Sequence, residues 1–259
     1  MALTKVTGAG LGNVDGPVGV GTASADASAL LTLNKSPTAA FGNPVLQVGG
    51  STYTSGGYYS IGLGYTNATY TEPPAEIAYV PTSDSGGTTG YLTFGTRSVT
   101  TNTAVTESMR IDGYGHVTMP KQSAFLVNPS SNQSNIAVNA TTTIAFGTER
   151  FDQNGDFASN TFTAPVTGRY QFNLFSFINS LNHGYSIFQV RLNTSNITMT
   201  WIIDPRFGDE NPNYYPVHFS TLVDMDANDT AHVEMVIPNY GSAQVDFDAS
   251  SYFSGYLVA

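Results

Sequence analysis

Residues 168–177 read GRYQFNLFSF, and residues 250–259 read SSYFSGYLVA. Successive side chains of an extended strand point to opposite faces. In the first stretch Tyr170, Phe172 and Leu174 therefore share one face, while Phe175 and Phe177 take the other. That change of side calls for a bulge or for cover on both faces. The second stretch repeats the demand, with Tyr252 and Tyr256 on one side and Phe253 and Leu257 on the other. Ordering a chain end costs entropy and usually returns little burial, so an apolar strand at the end needs a reason. One chain can cover one face; a neighbouring subunit is the expected cover for the other.

Working outward, the residues after Lys121 carry further strands. TTTIAF (141–146), YSIFQVRLN (185–193), ITMTWIID (197–204), VHFSTLVDMD (217–226), AHVEMVIPN (231–239) and AQVDFDASSYFSGYLVA (243–259) are apolar, rich in β-formers and separated by turn residues. Their spacing predicts an antiparallel sandwich or jelly roll. Residues 1–120 have other habits. VGVGTASADASALLTL, NPVLQVGG, YYSIGLGY and YLTFGT read as brief strands between glycine turns, and Ala23–Leu33 is the one candidate helix. Such a half buries little core by itself, so it is either disordered or shares a core between chains. ESMRIDGYGHVTMP (107–120) predicts strand, tight turn and strand, with Pro120 marking a junction. The domains expected are 1–120 and 121–259.

Composition narrows the function. Nineteen acidic residues against nine basic give a net charge of −10, which argues against a nucleic-acid surface. Charged residues make up only 11%, about half the usual share for a soluble domain. The chain has no cysteine, which excludes disulfides, thiolate metal sites and cysteine nucleophiles. No apolar run approaches the roughly 18 residues of a membrane span, and MALTKVTGAGLG lacks the core of a secretory signal. The expectation is a product made in the cytoplasm that stays in the cell or leaves by lysis or by assembly into a particle.

FGTERFDQNGDFASNTFTAPVTGRYQFNL (146–174) with the closing SYFSGYLVA resembles the C1q/TNF-like domain family. Phe146, Asp152, Phe157, Phe162, Gly168, Tyr170 and Phe172 fill the family pattern; the Phe157–Phe162 spacing is shorter than usual, and Leu174 replaces the last aromatic. The resemblance implies an all-β architecture, with a C1q/TNF-like antiparallel jelly-roll head packed as a homotrimer. Tyr170, Phe172, Tyr252, Phe253, Tyr256 and Leu257 would then be core or trimer-interface residues. VGVGTASADASALLTL and FGTRSVTTNTAVTESMRIDGYGHVTMP are similar to shaft phrases of bacteriophage tail fibres, and MALTKVTG to the openings of short fibre proteins. That likeness implies a trimeric β-rich fibre shaft ahead of the head, with virion tail or baseplate proteins as partners of the N-terminal region.

Catalysis finds no foothold. Glycoside hydrolysis wants two carboxylates about 5 to 9 Å apart, and the densest acidic stretch, with Asp204, Asp209 and Glu210, reads as a loop bounded by Pro205, Gly208 and Pro212. DQNGD (152–156) lacks the register of a calcium loop and reads as a turn at Asn154-Gly155. Some members of the resembled family hold calcium, so an ion at the apex is all that the resemblance allows; no cofactor and no metal ligand is assigned. His116, His183, His218 and His232 show no close pairing. What remains is a binding surface. WIIDPRFGDENPNYYP sets aromatics beside polar groups in a pattern suited to sugars. Arg206, Phe207, Asp209, Tyr214 and Tyr215 are the expected receptor contacts, with Trp201 in the core. The function expected is a non-enzymatic tail fibre that binds a host surface glycan or outer-membrane protein, without entering the membrane. The alternative is a structural cap that trimerises or decorates the particle without binding a receptor.

Overall fold

The computed structural model describes residues 18–20, 31–33, 41, 44, 46–49, 54–182, 184, 187–207, 211, 213–238 and 244–259. The fold is all-β, with one 3-10 turn (Pro205–Phe207) among the described residues. The chain falls into two compact units, Met1–Thr106 with Ile111–His116, and Glu107–Arg110 with Val117–Ala259.

In the first half β1 (Val18–Val20) pairs in parallel with β2 (Leu31–Leu33). Strand β2 takes the end of the candidate helix Ala23–Leu33, in line with the brief strands read there, and the rest of that stretch lies outside the described residues. A five-stranded sheet follows in chain order: β3 (Tyr59–Leu63), β4 (Ala75–Pro81), β5 (Gly90–Thr96), β6 (Thr106–Ile111) and β7 (Val117–Thr118). The turn predicted between β6 and β7 is built around Asp112. Its Oδ1 accepts from the backbone N–H groups of Tyr114 (2.8 Å) and His116 (2.9 Å), and Gly115 supplies a φ of +88°. Of the apolar side chains in β3–β5, Ala78 and Val80 are buried, whereas Ile61, Leu63 and Leu92 face solvent.

The second half is a two-sheet sandwich. Its strands are β8 (Ala124–Asn128), β9 (Gln133–Ile136), β10 (Thr141–Thr143), β11 (Thr148–Asp152), β12 (Phe157–Ala158), β13 (Thr161–Thr163) and β14 (Gly168–Asn179). They continue with β15 (Phe188–Thr194), β16 (Thr198–Ile203), β17 (Tyr214–Met225), β18 (Thr230–Val236), β19 (Val245–Phe247) and β20 (Tyr252–Leu257). One sheet runs β12-β13-β18-β15-β16, with β10 also on β18. The other runs β11-β8-β20-β14, with β17 on the far side of β14, and β19 and β9 extending its end. Non-sequential neighbours such as β20 between β8 and β14 are the mark of a jelly roll.

The change of side in GRYQFNLFSF is not a bulge. All twelve residues of β14 pair with β17 without a slip, from Gly168 opposite Met225 to Asn179 opposite Tyr214. Tyr170, Phe172, Leu174, Ser176 and Ile178 point inward, all at most 1% exposed, and Phe175 and Phe177 stand half-buried outside. Inside, Phe125 lies 5.0 to 5.2 Å from Phe157, Phe162 and Phe253, joining both sheets in one aromatic core. Each such ring contributes about 2–3 kcal/mol relative to exposure. Gly255 sits opposite Phe172, and a Cβ there would meet Phe125 Cε1 at 2.7 Å and Phe172 Cδ1 at 2.8 Å. The glycine of SYFSGY is therefore the space in which two phenylalanines meet. Buried Ser251 accepts from the Phe177 N–H at 3.1 Å, and its carbonyl accepts from Asn128 Nδ2 at 2.6 Å, so the polar part of the motif docks the strand. In DQNGD the Asp152 carboxylate accepts from the N–H groups of Asp156 (3.0 Å) and Phe157 (2.9 Å), with Gly155 at φ +74°. That loop is the turn expected from Asn154-Gly155.

Candidate functional site

The outer face of the sheet carrying β14 is read directly from its register. Tyr252 of β20 lies beside Phe175, with rings stacked at 5.6 Å and 21°. Phe175 meets Phe177 edge-on at 4.9 Å, and Phe177 meets Tyr214 at 6.1 Å, so one aromatic ladder crosses three strands. Tyr256, Leu222 and Phe151 lie on the same face, each about half exposed. Between them is a small polar knot. Gln171 Nε2 donates to Ser220 Oγ, which donates to Asn173 Oδ1, both at 2.8 Å. Arg169 and Asp224 close the lower end as an exposed pair at 3.0 Å.

The two ends of this sheet differ. At one end the chain enters the sandwich: Gln122 Nε2 donates to the Leu257 carbonyl (2.7 Å), and the Arg169 N–H to the Ala259 carbonyl (2.8 Å). At the other end, roughly 35 Å away along β14, Asn179 and Tyr214 face one another across the last pair of the ladder. A cleft of about 500 Å³ opens here, lined by Asn179, Ser180, Asn182, Asn211, Asn213 and Tyr214 over the buried Leu181. Its wall is pinned from behind. Asn179 Nδ2 donates to Asp248 Oδ2 at 2.8 Å, Ser180 Oγ to Asp246 Oδ2 at 3.0 Å, and the Gly184 N–H to Asn182 Oδ1 at 2.7 Å. Hydrogen bonds from the Ser250 hydroxyl, the Ser250 N–H and Asn179 hold the Asp248 carboxyl below the usual carboxylate value.

A second hollow, of about 530 Å³, is lined by Ile202, Ile203, Asp204, Arg206 and Tyr215. Arg206 grips Asp204 with two nitrogens, at 2.8 and 2.6 Å, and this lowers the Asp204 pKa to about 2. The Tyr215 ring packs edge-on against Phe188 at 5.8 Å, and burial pushes its hydroxyl pKa up.

These hollows divide the expected receptor residues. Arg206 and Tyr215 share one, and Tyr214 stands in the other. The reason is the period of the strand: β17 begins at Tyr214, so adjacent tyrosines take opposite faces. Tyr215 is half-buried rather than displayed, while Tyr214 is 63% exposed. Phe207 closes the 3-10 turn, and Asp209 and Glu210 lie outside the described residues. Trp201 stacks on Phe219 at 3.8 Å and 9°, packed against the core as expected. In the other set, Tyr170, Phe172 and Phe253 are wholly inside one chain, Leu257 packs partly against the same core, and Tyr252 and Tyr256 lie on the outer face. The asparagines were not singled out from the sequence. Their signal was a concentration of Asn in two segments, INSLNHG and NPNYYP, whose residue types also read as plain turn formers.

Among the described residues no cluster of three His, Asp or Glu side chains is arranged to hold a metal ion. His116 Nδ1 lies 2.9 Å from Asp112 Oδ2, and His232 Nε2 lies 2.9 Å from Glu234 Oε1. His218 is exposed opposite Phe175, and His183 lies outside the described residues. No helix among the described residues is long and apolar enough to cross a membrane.

Comparison with known proteins returns no match among curated sequences. Among solved structures, the globular domain of the zebrafish complement 1qA protein is similar over 54% of this chain and 98% of its own, at 16% identity and a TM-score of 0.41. Murine APRIL is similar over 53% of this chain and 100% of its own, at 12% identity and a TM-score of 0.37. The family model of the C1q domain matches residues 124–258, more than half of the chain. That span takes in the sandwich from β8 to β20, its aromatic core and its Gly255 contact, and the chain belongs to the C1q domain family.

Proposed function

We propose that this chain is a bacteriophage tail fibre protein that assembles as a homotrimer and binds a receptor on the host surface without catalysing a reaction. In this reading residues 1–120 form the shaft and join other tail or baseplate proteins, and residues 121–259 form the adhesive head. The protein is made in the host cytoplasm and ends in the virion tail. The observation that carries the trimer is the aromatic ladder Tyr252–Phe175–Phe177 on the outer face of a sheet already filled on its inner face, with Tyr214 beyond it at the sheet's end. A single chain leaves that ladder wet; copies meeting on it bury it. C1q/TNF-type domains commonly form homotrimers and are generally binding or structural modules rather than enzymes, which supports the same reading. The fibre assignment is supported by the shaft-like phrases of the first half and by its poorly covered sheet. Three identical sites on one particle multiply a weak affinity when all engage.

Two measurements test the proposal. Light scattering on the full chain is expected to give three times the 27.5 kDa chain mass; a monomer overturns the trimer. The purified protein is expected to coat susceptible bacteria and to block infection by the parent phage. A trimer that does neither favours the structural cap.

A further inference from the structure

We propose that the asparagine-lined cleft at the distal end of the jelly roll binds a neutral saccharide. The assignment rests on the adhesive reading above and names the ligand class and the site within it. The lining is the main argument. Asn213 brings a carboxamide with donors and an acceptor, Asn182 brings the Nδ2 donors of a carboxamide whose Oδ1 takes the Gly184 N–H, and Ser180 brings a hydroxyl oxygen that can accept while it donates to Asp246. Sugar hydroxyls donate and accept at once, so neighbouring hydroxyls of one ring match a carboxamide on both counts. Tyr214 supplies an exposed ring whose far side is braced edge-on by Phe177, a platform for the C–H face of a pyranose.

Charge selects within the sugars. None of the described residues that line the cleft is a Lys, Arg, Asp or Glu, and Asp246 and Asp248 behind it are engaged by Ser180 and Asn179. A uronic or sialic acid would find no cation there and would approach a chain of net charge −10. The volume of about 500 Å³ falls among small-ligand sites. The neighbouring hollow is a poorer candidate, because its polar groups are an arginine and an aspartate already paired with each other.

The test uses the full chain and a panel of neutral di- and trisaccharides ending in glucose, galactose, mannose or an N-acetylhexosamine, with uronic- and sialic-acid-terminated counterparts. Saturation-transfer NMR finds binders and calorimetry measures them. Binding of at least one neutral probe is expected, and it should weaken about tenfold in Tyr214→Ala and in the near-isosteric Asn213→Asp, the loss expected for a stacked ring or an unpaired polar group. Tyr214→Phe should keep most of the affinity, and Arg206→Ala should change it less than twofold. Light scattering on each variant separates loss of the site from loss of assembly. Preference for the acidic probes, or loss in Arg206→Ala with Asn213→Asp unaffected, overturns the assignment. If no saccharide binds while the protein still coats cells, the cleft fails and adhesion stands. If a neutral saccharide binds with these losses and cells are not coated, the cleft stands and adhesion fails.

Discussion

The sheet of β3–β7 and the jelly roll are both built from β-strands, yet they treat apolar side chains in opposite ways. In the jelly roll 27 buried residues form one cluster, because a second sheet lies against the first. In the sheet of β3–β7, Ala78, Val80 and Pro81 are buried, while Tyr58, Ile61, Leu63, Tyr65 and Leu92 around it are exposed. A sheet hides its apolar face only when another layer covers it. The jelly roll carries its second layer within one chain and, in the proposed trimer, would need neighbours only for its outer ladder. Among the described residues the first sheet has no such layer. Order in the N-terminal half is therefore expected to depend on assembly, and order in the head much less so.

The sharpest way to break that comparison is Phe175→Asp, which sets a charge in the aromatic ladder without touching the core. The expected result is a threefold fall in mass by light scattering. Hydrogen exchange should then accelerate in β3–β5 and remain slow in β14, β15 and β18. Equal loss in both regions would show that the head also needs its neighbours. Next in size, Phe172→Ala empties the centre of the head and should cost about 3–5 kcal/mol in its thermal or denaturant unfolding. Gly255→Ala should cost about 1–3 kcal/mol by overpacking, since its new methyl meets Phe125 and Phe172 below 3 Å. The smallest effect is that of acid. The Asp248 pKa is lowered in the folded state, so its stabilising share is present above the usual carboxylate value of 3.8 and fades as pH falls through the lowered one. Melting should be insensitive to Asp248 between pH 7 and 5. Below about pH 4 part of the loss should vanish in Asp248→Asn, measured as melting temperature against pH.

The head was legible in the sequence where side chains alternate. The inner face of GRYQFNLFSF was legible at once; for its outer phenylalanines the text left a bulge and a second partner open, and the unbroken β14–β17 register removes the bulge. The start of β17 was less legible. The strand was expected from Val217, but β17 begins at Tyr214; among the described residues it pairs with β14 alone, and an edge strand tolerates the N–H missing at Pro216. That misplaced boundary put Tyr214 and Tyr215 together on one surface, where the pleat separates them. The cleft was beyond reach for another reason. Asn179 and Asn182 lie far in sequence from Asn211 and Asn213, and only the β14–β17 ladder brings the two turns to one end. Residues that read as turn formers in each segment become a polar wall when the segments meet.

The place of β20 between β8 and β14 carries a consequence for biosynthesis. Gln122, at the entrance of the head, donates to the carbonyl of Leu257, 135 residues later. While a ribosome is still decoding the intervening stretch, β8 and β14 have facing edges and nothing to fill them. Contacts so distant in sequence slow folding, because the loop must close before any reward arrives. They also make the jelly roll a test of a finished message: a transcript cut anywhere before the codon for Tyr252 yields a polypeptide whose sheet stays open between β8 and β14.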